Sequence, residues 1–359
     1  MQTLREQAIS FGENYPYRQL HGEYEAGDYL IGQLRDMGHN PVIQEFDVHV
    51  PDVQHSFARL TIDGQEFAGS GYVAAASQVS GRIDARAPIV DPNVVIGASR
   101  SETLSLIAFA PKSPDLPSLA NMYDEVPTIA VSRHVRDALQ RSRGLIHGVV
   151  EMDHVHHISR NILAGNTQNP RFLVLTHYDS IGKGIIDNAS GIVVLLEAIR
   201  RNPKLLDDVC VAFCGSEELS GERGAYWAAG YRRLREEFSH LFERTEAIHV
   251  VDSVGNAPTR VFDQQYADRV SGGDTIFLGR IFGACNLAAE DIQRWRGKIR
   301  TIQAEDIATH HGLLFNVYHA QSLDDGRYLV ERHLQDCVTA IGMLLSDTRM
   351  PKKYQKQTW

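Results

Sequence analysis

The chain has 359 residues, enough to bury one large core and a smaller second one. Its 36 basic and 45 acidic side chains leave a net charge of −9 with no basic stripe, which argues against nucleic acid and anionic membrane surfaces as partners. No apolar run reaches the ~18 residues of a spanning helix. The N-terminus lacks an apolar signal-type region, and Cys210, Cys214, Cys285 and Cys337 form no spaced framework, so a cytoplasmic, membrane-free protein is expected.

In chain order, residues 3–36 have apolar positions spaced by three and four and read as helical up to Gly38, followed by an extended stretch from Pro41 to Val50. From 51 to 150 the texture becomes β-rich: Phe57–Ile62 alternates, Asp63-Gly64 is a turn signal, and Gly and Pro recur. Beyond 158, strands and helices alternate. Strands are expected at 171–176, 208–214, 246–251 and 313–317. Helices are expected at 191–200 (capped by Asn188 or Ser190), 221–236 and 326–346. The pattern predicts an α/β fold, a three-layer α/β/α sandwich around a mostly parallel, mixed sheet. Residues 1–50 and 151–359 would form this body, with 51–150 as a β-rich insertion.

Four chemically able segments fall at the carboxyl ends of predicted strands: His177, the Glu217-Glu218 pair, Asp252 and His319. Ligands bind in the crevice at such ends in open α/β sheets. Asp187 lies ten residues after His177, before a helix, where a short loop returns it to the same rim. Two imidazoles and three carboxylates suit a pair of divalent cations, with Asp187 able to bridge them and one carboxylate left to handle a proton. Taken singly each motif is weak, because His-x-Asp is often a surface turn and Glu-Glu a solvated helix start. Their convergence is what carries the reading. Asp179 is placed to fix the far ring nitrogen of His177, and the Tyr318 hydroxyl to stabilise an oxyanion. His154, His156 and His157 cluster near the insertion without evident acidic partners, which argues against a second metal site there.

Thr176-His-Tyr-Asp-Ser180, Asp187-Asn-Ala-Ser-Gly191, Gly215-Ser-Glu-Glu218, Asp252-Ser-Val-Gly255 and Tyr318-His319 resemble the co-catalytic zinc exopeptidase family of bacterial leucyl aminopeptidases, aminopeptidase S and glutamate carboxypeptidase. The resemblance covers about 160–330. It implies two Zn2+ ions, replaceable by Co2+ or Mn2+, one held by His177, Asp187 and Asp252 and the other by Asp187, Glu218 and His319. Glu217 would be the general base, and the Asp187–Asn188 peptide is expected to be cis. The insertion, through Val126–Ser132, resembles a protease-associated domain that overhangs the active site. Two departures stand out. The family's longer Pro-containing loop before His319 is missing, and Ser322-Leu-Asp-Asp325 replaces the usual Thr-Pro-x-Asp after it.

The expected activity is release of N-terminal residues from peptides. A glutamate-type carboxypeptidase or dipeptidase is the second reading, and it needs a cationic receptor such as Arg260, Arg294, Arg296 or Arg327. Glutaminyl cyclases share the fold but use one zinc, and receptor relatives that lost catalysis lack ligands. The intact five-ligand set argues against both.

Overall fold

The computed structural model describes residues 2–52, 54–72, 77–83, 106–108, 128–130, 133–220, 228–262, 294–295, 297–304, 324–346 and 354. Among these, the central sheet has seven strands in the order β1-β9-β11-β10-β12-β14-β13. They are β1 (Val42–Pro51), β9 (His154–Gly165), β10 (Phe172–His177), β11 (Val209–Cys214), β12 (Ala247–Val251), β13 (Thr259–Phe262) and β14 (Ile299–Ala304). β11, β10, β12 and β14 run parallel, whereas β9 and β13 pair antiparallel to β11 and β14. The sheet is therefore mixed around a parallel centre, as expected.

The pleat of the central strands sorts their side chains into two cores. Phe172 and Val174 point to one face, together with α1 (Leu4–Asn14), α2 (His21–Asp36), α4 (Ser190–Arg201) and α8 (Glu331–Leu345). Leu173 and Leu175 point to the other, against α6 (Ala229–Glu237) and α7 (Ser239–Arg244). Two short helices, α3 (Arg133–Arg141) and α5 (Leu205–Asp208), complete the described α-helices, beside a single π-helical turn at Ile185–Ala189. The result is three layers. The connection from β10 through α4 leads to β11, and the return from β11 through α6 and α7 crosses past β10 to β12. Strand order thus reverses beside β10, with α4 packed on one face of the sheet and α6 on the other. The gap so opened lies at the carboxyl end of β10.

Residues 3–36 form two helices rather than one. α1 begins with a capping box, in which Glu6 N–H donates to Thr3 Oγ1 (3.2 Å) and Thr3 N–H to Glu6 Oε2 (2.8 Å). The break follows from the chain's use of the linker. Tyr17 and Leu20 take φ of 52°, Tyr17 N–H donates to Gly182 O (2.6 Å), and Ser180 N–H donates to Arg18 O (3.2 Å). Helical backbone would not leave those groups available. The helix expected at 221–236 begins, among the described residues, at Ala229, and the one expected at 326–346 at Glu331. The strand expected at 313–317 lies outside the described residues.

Between β1 and β9 the chain builds two smaller sheets, β3-β2-β8-β5 and β4-β7-β6. Their strands are β2 (Phe57–Ile62), β3 (Gln65–Ala68), β4 (Ser70–Tyr72), β5 (Ser77–Ile83), β6 (Leu106–Ala108), β7 (Thr128–Ala130) and β8 (Ile146–Met152). Asp63 (φ 50°) and Gly64 (φ 84°) make the tight β2–β3 turn, where both central residues need positive φ. β1 and β9 pair along their length up to Pro51 opposite His154, so the segment leaves and re-enters the body through one two-stranded ribbon.

Candidate active site

His177 is the last residue of β10 and is 1% exposed. Its Nε2 faces Asp187 Oδ1 at 3.0 Å and Asp252 Oδ1 at 3.5 Å, while its Nδ1 faces Asp179 Oδ1 at 3.3 Å and Glu217 Oε2 at 3.9 Å. Three adjacent strand ends supply this group: β11 precedes Glu217 and Glu218, β10 carries His177, and β12 precedes Asp252. Ligand atoms of His177, Asp187 and Glu218 lie within 4.8 Å of one another, a grouping found once among the described residues. The structure therefore brings together His177, Asp179, Asp187, Glu217, Glu218 and Asp252. Tyr318 and His319 lie outside the described residues.

The backbone that carries these side chains is tied from behind. Asp179 accepts at Oδ2 from Glu218 N–H (2.9 Å), so one carboxylate orients both the imidazole and the second glutamate. Asn188, fully buried, uses all of its amide. Its Nδ2 donates to Thr176 Oγ1 (2.9 Å) and Val251 O (3.1 Å), and its Oδ1 accepts from Gly191 N–H (3.0 Å) and Ser253 N–H (3.2 Å). Its bond to Gly191 N–H reaches the first turn of α4, whose N-cap position is Ala189 rather than the expected Asn188 or Ser190, and the side chain also ties together the ends of β10 and β12. A Cβ at Gly191 would meet Asn188 Oδ1 at 2.4 Å. The Asp187–Asn188 peptide is cis.

Three supports were not singled out from the sequence. Asp324 accepts from Ile186 N–H (2.5 Å) and Asp187 N–H (3.2 Å), so the departing Ser322-Leu-Asp-Asp325 segment still furnishes a carboxylate under the Asp187 turn. Asp324 precedes Asp325, which pairs with Arg327 at the surface. Arg18, 0% exposed, donates to Tyr178 O (2.6 Å), Lys183 O (2.7 Å), Gly184 O (2.8 Å) and Tyr15 O (3.3 Å), lacing the loop from His177 to Asp187 onto the α1–α2 linker. Glu23 in the first turn of α2 reaches the turn before Glu217. In sequence they are polar residues between or beside the apolar positions, and nothing local marks them as buried.

The electrostatics follow from packing acids under cover. Burial and then nearby charges, Asp187 among them, push Glu218 well above the ordinary carboxylate range; burial also raises Glu217, against the pull of His177. Burial and Asp187 bring Asp252 to about 6, and burial brings Asp324 to about 7. Burial alone would depress the His177 imidazole, but Glu217, Asp179, Asp187 and Asp252 overcome it and hold it well above its usual value. Burial lowers Arg18 to about 10, against Asp324, Asp179, Glu218 and Asp187, leaving it a fixed cation near the carboxylates. Acids packed this closely repel each other unless positive charge is added. A buried imidazole among carboxylate oxygens is a donor set for divalent cations. The residues present fit the implied metals.

The other titratable groups take different parts. His156 does have an acidic partner, contrary to expectation: its Nε2 lies 2.7 Å from Asp47 Oδ1 across the β1–β9 ribbon, and His157 Nε2 lies 3.6 Å from Glu23. Cys210 and Cys214 are buried in the core, as expected, where burial raises their thiols, Cys210 to about 12.

Residues 160–271, the segment holding most of the site, match the model of Peptidase family M28. No curated protein sequence matches the chain. Among solved structures, a zinc aminopeptidase from Bacillus subtilis aligns with a TM-score of 0.65 at 13% identity, covering 98% of this chain and 97% of that one. An aminopeptidase from Aneurinibacillus sp. strain AM-1 gives 0.63 at 14% identity, covering 99% and 97%. A peptidase M28 precursor from Shewanella amazonensis SB2B gives 0.62 at 14% identity, covering 99% and 94%. At such identities these likenesses speak to the fold. The chain thus matches Peptidase family M28 over the segment that holds most of the site, inside a fold shared along nearly its whole length with solved aminopeptidases.

Proposed function

We propose that the protein is a zinc-dependent aminopeptidase that removes N-terminal residues from peptides. The observation that carries the reading is the convergence of Asp187 and Asp252 on His177 Nε2, with Glu217 and Glu218 beside them at the next strand end. His177, Asp187 and Asp252 would hold one cation, and Asp187, Glu218 and His319 a second. When bound, such cations supply positive charge that polarises a carbonyl and acidifies water. Asp179 fixes the His177 ring and the Glu218 backbone. Glu217, buried and raised, takes a proton from the attacking water and returns it to the leaving amine. Tyr318 would steady the developing oxyanion.

Aminopeptidase is preferred over carboxypeptidase on the state of the arginines. Arg294 pairs with Glu243 and Arg327 with Asp325, both at the surface, and Arg260 donates to Thr259 O (3.1 Å). Arg296 lies outside the described residues. The segment 51–150 is proposed to overhang the crevice and limit which peptides enter, on the strength of its likeness to protease-associated domains.

The test is a panel of aminoacyl chromogenic substrates and N-blocked dipeptides, assayed with zinc, cobalt or manganese added. Cleavage of the free-amine substrates alone is expected, abolished by chelator and restored by cation. Cleavage confined to blocked dipeptides would replace the reading by the carboxypeptidase one, and no hydrolysis in either set would overturn it.

A further inference from the structure

Glu23 is a carboxylate 1% exposed to solvent, donated by α2 from outside the 160–271 segment that matches the family model. Its Oε2 accepts from both Ser216 N–H (3.2 Å) and Ser216 Oγ–H (2.9 Å), and its Oε1 accepts from Ser159 Oγ on β9. Ser216 sits in the left-handed region at φ 46°, between the end of β11 and Glu217. A serine adopts that conformation only where its surroundings hold it.

The packing is specific to this carboxylate. A Cβ at Gly215 would lie 2.4 Å from Glu23 Oε1, 2.6 Å from Ser159 Oγ and 2.8 Å from Arg160 O, so Gly215 is the side chain's seat. On the far side, Ala229 N–H donates to Ser216 O (3.1 Å) and Ala228 N–H to Glu217 O (2.6 Å), and Glu218 N–H is taken by Asp179. Glu217 therefore lies between two anchored neighbours, Ser216 gripped by Glu23 and Glu218 gripped by Asp179. His157 Nε2, 3.6 Å from Glu23 Oε1, is the one imidazole facing the carboxylate among the described residues.

We propose that Glu23 is a positioning residue for Glu217: by holding Ser216 in its left-handed turn it sets where the general-base carboxylate stands. The statement rests on the peptidase reading above for the word base; the clamp itself does not. Displacement of a reacting group by about 1 Å costs on the order of 10²-fold in rate. Removing the clamp should therefore lower turnover while leaving the His177, Asp187 and Asp252 group in place.

The experiment compares the full-length protein with Glu23→Gln, Glu23→Ala, Glu217→Gln and the double variant Glu23→Gln/Glu217→Gln. Thermal unfolding comes first, and Glu23→Gln, nearly isosteric, serves if Glu23→Ala does not fold. Amide hydrogen exchange is then read at Ser216, Glu217 and Glu218, with bound zinc per chain, kcat and KM. The expected result is loss of protection at Ser216 and Glu217 with protection kept along β10 and β12. Metal content should stay the same, kcat should fall roughly 10–100-fold with KM within about threefold, and Glu23→Gln should have little further effect once Glu217 is Gln. Retained protection at Ser216, or an additive loss of kcat in the double variant, overturns the proposal. If the unmodified protein hydrolyses none of the substrates, the peptidase reading fails, and the exchange result still decides the clamp.

Discussion

Replacing Asn188 by Ala tests the frame around Asp187 most directly. The side chain makes four hydrogen bonds at 2.9–3.2 Å in a fully buried position. Val251 O keeps a second donor, Thr176 Oγ1 at 2.9 Å, so the acceptor side of the loss is partly made good. Gly191 N–H and Ser253 N–H lose the bond they make to Asn188 Oδ1. Two buried donors orphaned at about 1–3 kcal/mol each give an expected destabilisation of about 2–6 kcal/mol. Urea unfolding in chelator should show this as a lower midpoint at unchanged slope. Repeating it in excess zinc adds the binding contribution, which grows with the logarithm of concentration over Kd. That increment should shrink in the variant, because the turn carrying Asp187 has lost its tie to β10 and β12. A destabilisation below about 1 kcal/mol in chelator, or an unchanged zinc increment, would refute the view that Asn188 is the frame.

The adjacent glutamates should separate cleanly: Glu217→Gln keeps the metals and loses about 10²–10⁴-fold in kcat, whereas Glu218→Gln lowers metal content, with reversed phenotypes refuting the assignment. Metal analysis after zinc loading should approach two ions per chain, and saturation at one, untouched by Asp252→Ala, would end the bridged arrangement. His249 is buried in β12, and among the described residues neither ring nitrogen has a hydrogen-bond partner; burial, aided by Arg300, lowers it to about 3. The unfolded chain, titrating near 6.5, therefore binds a proton that the folded one refuses, so stability falls as pH drops below about 6.5, by about 2 kcal/mol at pH 5. His249→Leu should remove that part of the acid sensitivity, and equal pH slopes for variant and parent in chelator would contradict it.

What could be read from the sequence was what periodicity and strand ends encode. The runs that became β10, β11 and β12 are apolar on both faces because both faces are covered, and that continuity located His177, Glu217, Glu218 and Asp252 at one edge. The break in 3–36 was not legible, because the cause of it is a partner loop 160 to 165 residues away. Arg18 and Glu23 carry the same lesson. A lone Arg or Glu near a helix start reads as a solvated charge, and only the fold shows that each is buried against backbone groups of the site. Asn188 was half legible: its bond to Gly191 N–H in the first turn of α4 is local, but its grip on Val251 and Ser253 is not. The pairing of His156 with Asp47 depended on the cross-strand register of β1 and β9, which no local pattern states.

The braces of the Asp187 turn come from opposite ends of the chain, and this sets an order of events during synthesis. Arg18 emerges from the ribosome 166 residues before the Gly184 carbonyl it grips, while Asp324 emerges 138 residues after the Ile186 amide it receives. Domains form as their segments appear, N-terminal first. A growing chain that has just passed β12 and added Asp252 already holds His177, Asp187, both glutamates and Asp252, yet the Ile186 and Asp187 amides still lack their carboxylate. On the metal assignment proposed above, firm cation loading waits for Asp324, and a product truncated before that residue is expected to keep the parallel strands and to bind less zinc per chain.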